Sequence, residues 1–322
     1  MKFKTWLGLV AGLVPACLFA IVLFLAIYSW PAMRFNGFGF VLRDTWNLGN
    51  LYGNPVTVHG TQIQPGATYG ILFLIAGTLL STLIALLIAL PTGIGAAIFL
   101  AEAVPANLRL WISFFVELLM AIPSVVFGLW GYVVVIPFLG KHFFPFLAGT
   151  IGKVIPFFAG PTGSGYGLLT AGVVLSLMIV PLIAATLRDA IVSQPTSMRE
   201  AALALGATRF EALWRVTLPG ARGTLIGATF LALGRALGET MAVLMVSGNA
   251  LNYLPHNIYN PISTMAAFIV SQLDSALQDP TGIAVRSLAE IALVLCMISI
   301  IVSAIARLLL TMWGTVQRSM VA

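Results

Sequence analysis

The chain has 322 residues, 60% of them hydrophobic and 8% charged, with a net charge of +6. Soluble domains carry roughly 25% charged residues, so this composition excludes a globule in water. It belongs in a bilayer, where only helices and closed barrels satisfy the backbone, and the net charge is no nucleic-acid signature.

The apolar runs are long and do not alternate, which predicts helices of about 20 residues or more. The first span covers about residues 6–30. Lys2 and Lys4 imitate a secretory signal and Val14-Pro15-Ala16-Cys17 a lipoprotein cleavage site. The run continues too far for either, so it reads as an uncleaved first span. A polar stretch with turn signals at Asn36-Gly37 and Gly53-Asn54-Pro55 comes next, to about Gly70. Span two is about 71–101, with a bend expected at Pro91-Thr92-Gly93. Span three is about 110–138 and contains Glu117 and Pro123; a loop is expected over 139–166, then span four at about 167–187.

A charged stretch, 188–222, precedes span five at about 223–247, and span six is about 284–313. Between them, Ser263–Leu273 is apolar but short, which predicts an amphipathic or partly inserted helix. The reading is one all-α transmembrane domain, 1–322, with six spans. Lys2, Lys4, Arg109, Arg188, Arg199, Arg209, Arg215, Arg222, Arg307 and Arg318 fall on one side of it. Arg34, Arg43, Lys141, Lys153 and Arg286 fall on the other. The positive-inside rule then puts both termini and 188–222 in the cytoplasm. Cys17 and Cys296 read as buried membrane cysteines; His59, His142 and His256 lack metal-ligand spacing, so no metal is expected.

Within 188–222, Pro195-Thr196 starts a helix rich in Ala, Leu, Glu and Arg. Gly206 breaks it, a second short helix runs to Thr217, and Leu218-Pro219-Gly220 ends that. Such a helix pair fits a docking surface; it equally fits an interfacial helix lying on anionic headgroups. Span five carries Arg235 and Glu239, four residues apart. On a continuous helix they share a face and can pair. One reading is a self-neutralising pair that fixes packing. The other is an oxyanion site, since guanidinium presents a planar fork of donors and stays charged when buried. Gly234 and Gly238 form a G-x-x-x-G pair that would let a second helix approach. Glu117 and Glu290 are weaker candidates, as helix-end carboxylates or as transport residues. No P-loop is present: Gly152-Lys153 lacks the first glycine and is followed by Val154.

Glu200-Ala201-Ala202, three residues, Gly206, nine residues, then Val216-Thr217-Leu218-Pro219 resembles the EAA loop of ABC importer permeases, with Val216 where the family usually has Ile. The resemblance implies a type I importer (MetI-like) architecture. It also implies a coupling helix in which Glu200, Ala201, Ala202, Gly206, Leu218 and Pro219 meet an ATP-binding subunit. Gly234 through Val243 resembles span five of phosphate-specific (Pst) permeases, and Glu117–Gly131 and Gly163–Gly172 resemble the PstC-type subunit. This second resemblance implies import of inorganic phosphate across a bacterial inner membrane, with Arg235 and Glu239 in the substrate pathway. The implied partners are a PstA-type permease subunit in a heterodimer, two ATP-binding subunits and an external phosphate-binding protein. ATP and magnesium would be used by those partners, with no cofactor on this chain and no covalent chemistry in it. A permease for sulfate or molybdate, an ATP-independent secondary anion transporter and a membrane scaffold are the rival readings.

Overall fold

The computed structural model describes residues 2–58 and 60–319, and the apolar runs are helical in it. Helix α1 is Lys2–Asn36 and α2 Gly39–Leu42, followed by a hairpin of β1, Val56–Val58, and β2, Thr61–Ile63, with Val56 opposite Ile63. α3 runs over Leu72–Ala103, its last turn widened to π geometry. α4 is Ala106–Ala121 and α5 is Ser124–Lys153. α6 is Leu168–Val192, α7 Thr196–Ala204 and α8 Arg209–Gly220. α9 is Arg222–Leu237, α10 Met241–Val246, α11 Met265–Leu277 and α12 Ile283–Ser319. Among the described residues, five helices are long and apolar enough to cross a membrane, or six if the bent pair α8 and α9 counts as one crossing.

α3 and α6 make the centre of the bundle, and they interlock through reciprocal notches. A Cβ on Gly93 of α3 would lie 2.9 Å from Ile183 Cγ2 of α6. A Cβ on Gly172 of α6 would overlap Ile84 Cγ2 of α3. Lipid offers no hydrophobic drive between helices, so close fit of this kind is what holds them. At one end of the bundle Trp46, Tyr69, Phe73 and Phe268 stack edge to face, with Trp46 4.8 Å from Tyr69 and 5.1 Å from Phe268. This aromatic group ties the first loop to α11. The helix expected near Ser263–Leu273 is present as α11, and its first turn, Met265, Ala266, Ala267 and Phe268, is buried all round.

The third span is displaced from its expected place. The helix that begins at Ala106 stops at Ala121, and Ile122 and Pro123 are extended, with ψ of 129° and 140°. Proline disfavours the helical conformation in the residue before it, so the run 110–138 is cut in two. The long helix is instead α5, which continues through the residues expected to be loop as far as Lys153. α4, at 16 residues, is shorter than the roughly 20 residues that cross a bilayer. Elsewhere proline does not break the chain: α1 runs on through Pro31 to Asn36, and α3 is unbroken at Pro91. The Thr92 hydroxyl donates to Ile88 O at 2.7 Å in that turn. Cys17 is exposed rather than packed inside the bundle, as is every residue from 11 to 20 of α1.

Candidate functional site

Arg235 stands in the last turn of α9. The helix ends at Leu237, and Gly238, Glu239 and Thr240 are unwound before α10 starts. The expected pairing of Arg235 with Glu239 therefore does not form. It needs helix across both residues, and the helix ends between them. Glu239 Oε1 instead accepts the Ala242 backbone N–H at 3.3 Å, at the start of α10. The Thr240 hydroxyl donates to Gly238 O at 3.2 Å across the break. Among the described residues no carboxylate pairs with Arg235.

Arg235 lines an open groove of about 790 Å³ between α6, α9 and α12, together with Leu182, Phe230, Gly234, Ser303 and Arg307. A Cβ on Gly234 would meet nothing within 4 Å, and one on Gly238 would meet only the carbonyls of Gly234 and Arg235. The close helix approach expected of this glycine pair is not made among the described residues. Two other glycines do seat a helix. A Cβ on Gly128 would lie 2.9 Å from Ala242 Cα, and one on Gly131 2.9 Å from Val246 Cγ1. They hold α10 against α5, and thereby place the break beside Arg235. Their spacing, three apart on one helix face, is the signal in the sequence that points to this contact.

Glu117 and Glu290 have structural partners. Arg188 Nη2 donates to Glu117 Oε1 at 3.0 Å and to Asp189 Oδ1 at 2.6 Å, clamping α4 to α6. Arg188 is only 8% exposed, so this neutralises a charge that burial would otherwise penalise. Glu290 is buried in α12 and accepts the Asn36 amide at 2.8 Å, clamping α1 to α12. Neither carboxylate lines the groove of Arg235. His59 lies outside the described residues.

The segment after α6 folds as two short helices at an angle to the span beyond it. Pro195 precedes α7, and α7 ends at Ala204. Gly206 has φ of +86°, a left-handed conformation that glycine adopts without cost. The Ala207 N–H then closes back on Ala202 O at 3.1 Å. α8 opens on a capping box: Thr208 Oγ1 accepts the Glu211 N–H at 3.2 Å, and Glu211 Oε2 accepts the Thr208 N–H at 2.8 Å. These bonds, the backbone one foremost, hold the Glu211 carboxyl below its ordinary range. The Thr-x-x-Glu spacing announces the box in the sequence, and the reading from motifs alone passes over it.

α8 runs through Leu218 and Pro219 to Gly220, where the chain turns by 64° into α9. Glu200, Ala201 and Gly206 are exposed and Ala202 is half-buried. Met198, Leu205, Phe210 and Trp214 are also exposed, Leu205 at 90%. On its inner side the segment is anchored twice. Arg199 Nη1 pairs with Glu102 Oε2 in the π turn of α3, and the Gln194 amide donates to Thr217 O at 2.9 Å.

A chain of apolar helices with a groove-facing arginine and an anchored helix pair before the penultimate crossing matches a known protein family. Residues 90–312 match the family of binding-protein-dependent transport system inner membrane components. The chain belongs to this family. Among its relatives, the phosphate transport system permease protein PstC 1 of Mycobacterium tuberculosis is 45% identical over 307 residues, 94% of this chain and 90% of the relative. The PstC permease of Haemophilus influenzae is 37% identical over 311 residues, 96% and 92% of the two chains. The probable PstC of Methanocaldococcus jannaschii is 32% identical over 268 residues, 81% and 80%. A methionine ABC transporter, MetNI, matches with a TM-score of 0.50 at 19% identity, covering 76% of this chain and 94% of that one. A bacterial ABC transporter involved in alginate import matches with 0.51 at 20% identity, covering 73% and 78%. These solved structures share the fold. The chain is thus a multi-pass membrane permease of the ABC importer class, built to work with a binding protein.

Proposed function

We propose that this chain is the permease subunit of an ATP-driven importer that carries inorganic phosphate across the cytoplasmic membrane. The observation that carries the proposal is Arg235, a guanidinium in an apolar helix, lining an open groove with no carboxylate among the described residues to neutralise it. A charge in a membrane costs between about 2.5 and more than 10 kcal/mol, which a passing oxyanion offsets. The relatives named phosphate transport permeases support phosphate as that oxyanion. Arg235 makes a transient step and not a trap, since a deep well would stop transit.

In this reading the exposed apolar side chains of α7 and α8 rest on a partner ATP-binding subunit, with Glu200, Ala201 and Ala202 at the contact and Gly206 shaping the turn. Leu218 and Pro219 carry the movement into α9, which begins two residues beyond Gly220. Two such subunits hydrolyse ATP with magnesium. A PstA-type permease covers the open side of the bundle, and a phosphate-binding protein docks outside, at the end that carries the hairpin. Both termini and residues 188–222 are cytoplasmic. A second reading, sulfate or molybdate, has one observation in its favour: a guanidinium fork does not distinguish tetrahedral oxyanions by geometry. Uptake of labelled phosphate against labelled sulfate, by the full assembly in vesicles with ATP, decides between them. Phosphate uptake is expected to need ATP and to fall about tenfold or more in Arg235→Gln at equal membrane level. Uptake without ATP-binding subunits, or an unaffected Arg235→Gln, sinks the proposal.

A further inference from the structure

The groove of Arg235 contains a second cation. Arg307 of α12 lines it together with Ser303, one helical turn away on the same face. By sequence Arg307 belongs with the basic residues at the inner edge of the membrane, where such residues only orient the protein. The structure brings it to the same cavity as Arg235. Among the described residues neither arginine has a carboxylate partner, and no acidic residue lines the groove. The remaining walls are Leu182, Phe230 and Leu231, with bare backbone at Gly227 and Gly234. Two like charges in an apolar groove repel and favour an anion between or beside them.

Their depths differ. Arg235 lies 13 residues into α9, about 20 Å from Arg222 along the helix. Arg307 lies 24 residues into α12, about 36 Å from Ile283, beyond the roughly 30 Å of hydrocarbon. α9 and α12 run in opposite directions in the crossing order proposed above. Arg235 is then within the membrane and Arg307 at its inner edge. Both arginines border the same groove.

We propose that Arg307, with Ser303 beside it, is a second anion step, taking the oxyanion from Arg235 at the cytoplasmic end of the pathway. The inference rests on the phosphate-permease reading and extends it to a residue on another helix. The chemistry required is a phosphate oxyanion, which either the cargo or an anionic lipid headgroup could supply; the cargo is the occupant proposed. A headgroup would need Arg307 alone, whereas the cavity joins Arg307 to Arg235 deeper inside.

The test uses the full transporter assembly in vesicles, with labelled inorganic phosphate and ATP. Arg307→Gln is expected to lower uptake about tenfold and to raise KM, with the assembled complex present at wild-type level. Arg307→Lys keeps the charge and loses the bidentate fork, so it is expected to fall between Gln and wild type. Wild-type KM and rate in Arg307→Gln overturn the proposal. Loss of assembled complex with an unchanged KM in what remains also overturns it, since Arg307 would then be meeting a partner subunit. A defect seen only in vesicles containing anionic lipid, and absent in purely zwitterionic ones, assigns Arg307 to a headgroup and overturns it as well. If the wild-type assembly moves sulfate and not phosphate, the substrate reading fails. Sulfate uptake then tests Arg307 in the same way.

Discussion

At the scale of single residues, the outcome turned on where one helix stops. Arg235 and Glu239 are four apart, and their type and spacing suggest an ion pair. The unwinding at Gly238–Thr240 separates them and gives each a different task. Arg235 lines the groove without a carboxylate partner among the described residues, and Glu239 accepts the Ala242 N–H. That bond satisfies one of the donors that a helix start leaves open. Glu239→Ala is expected to cost about 1 kcal/mol, the usual net worth of a hydrogen bond, whereas Glu239→Gln retains an acceptor and most of the stability. Thermal melting of the purified assembly in detergent checks this, and equal melting of both variants with wild type would rule that contribution out. Glu117 and Glu290 show the same lesson from the other side. Each looked like an isolated carboxylate in a span, yet each has a partner far away in sequence, Arg188 and Asn36.

At the scale of elements, the helix pair α7 and α8 was legible in advance. Its helix start, its break at Gly206 and its end at Gly220 come from local chemistry, namely proline, glycine and caps. Local chemistry does not reveal the anchor to α3. Arg199 pairs with Glu102, which ties α7 to a central helix; in the proposed importer the pair would pass movement of α7 to α3 as well as to α9. Because the pair is partly exposed, its strength is modest, under about 1 kcal/mol. Arg199→Glu is expected to reduce uptake about threefold while ATP hydrolysis by the assembly persists. The double variant Glu102→Arg with Arg199→Glu is expected to recover uptake. A double variant as poor as the single one would mean that the pair transmits nothing. The displaced third span is the counter-example at this scale. Pro91 and Pro181 lie inside long helices, while Pro123 ends one. A proline pattern alone does not say which will break.

For the whole molecule, the arrangement depends on α3 and α6 lying close enough for Gly93 and Gly172 to take each other's isoleucines. Overpacking such a contact costs about 1–3 kcal/mol. Gly172→Val is therefore expected to reduce the amount of assembled protein in the membrane and its melting temperature. Gly95→Val is the control, since a Cβ at Gly95 meets nothing within 4 Å. Equal membrane levels of the two variants would show that the notch is not needed. This central pair also sets one wall of the groove, through Leu182 of α6, so the packing of the core and the shape of the groove are linked.

Composition and periodicity by themselves determined that the chain is helical and membrane-embedded, because nothing else satisfies a backbone in lipid. Motifs of fixed spacing pointed to its family and to the helix pair over 196–220, because those features are local along the chain. Tertiary structure alone decided which carboxylates are engaged, where the third crossing lies, and that Arg307 shares a cavity with Arg235. Each of these depends on residues far apart in sequence, and on where a helix ends once it has neighbours to pack against.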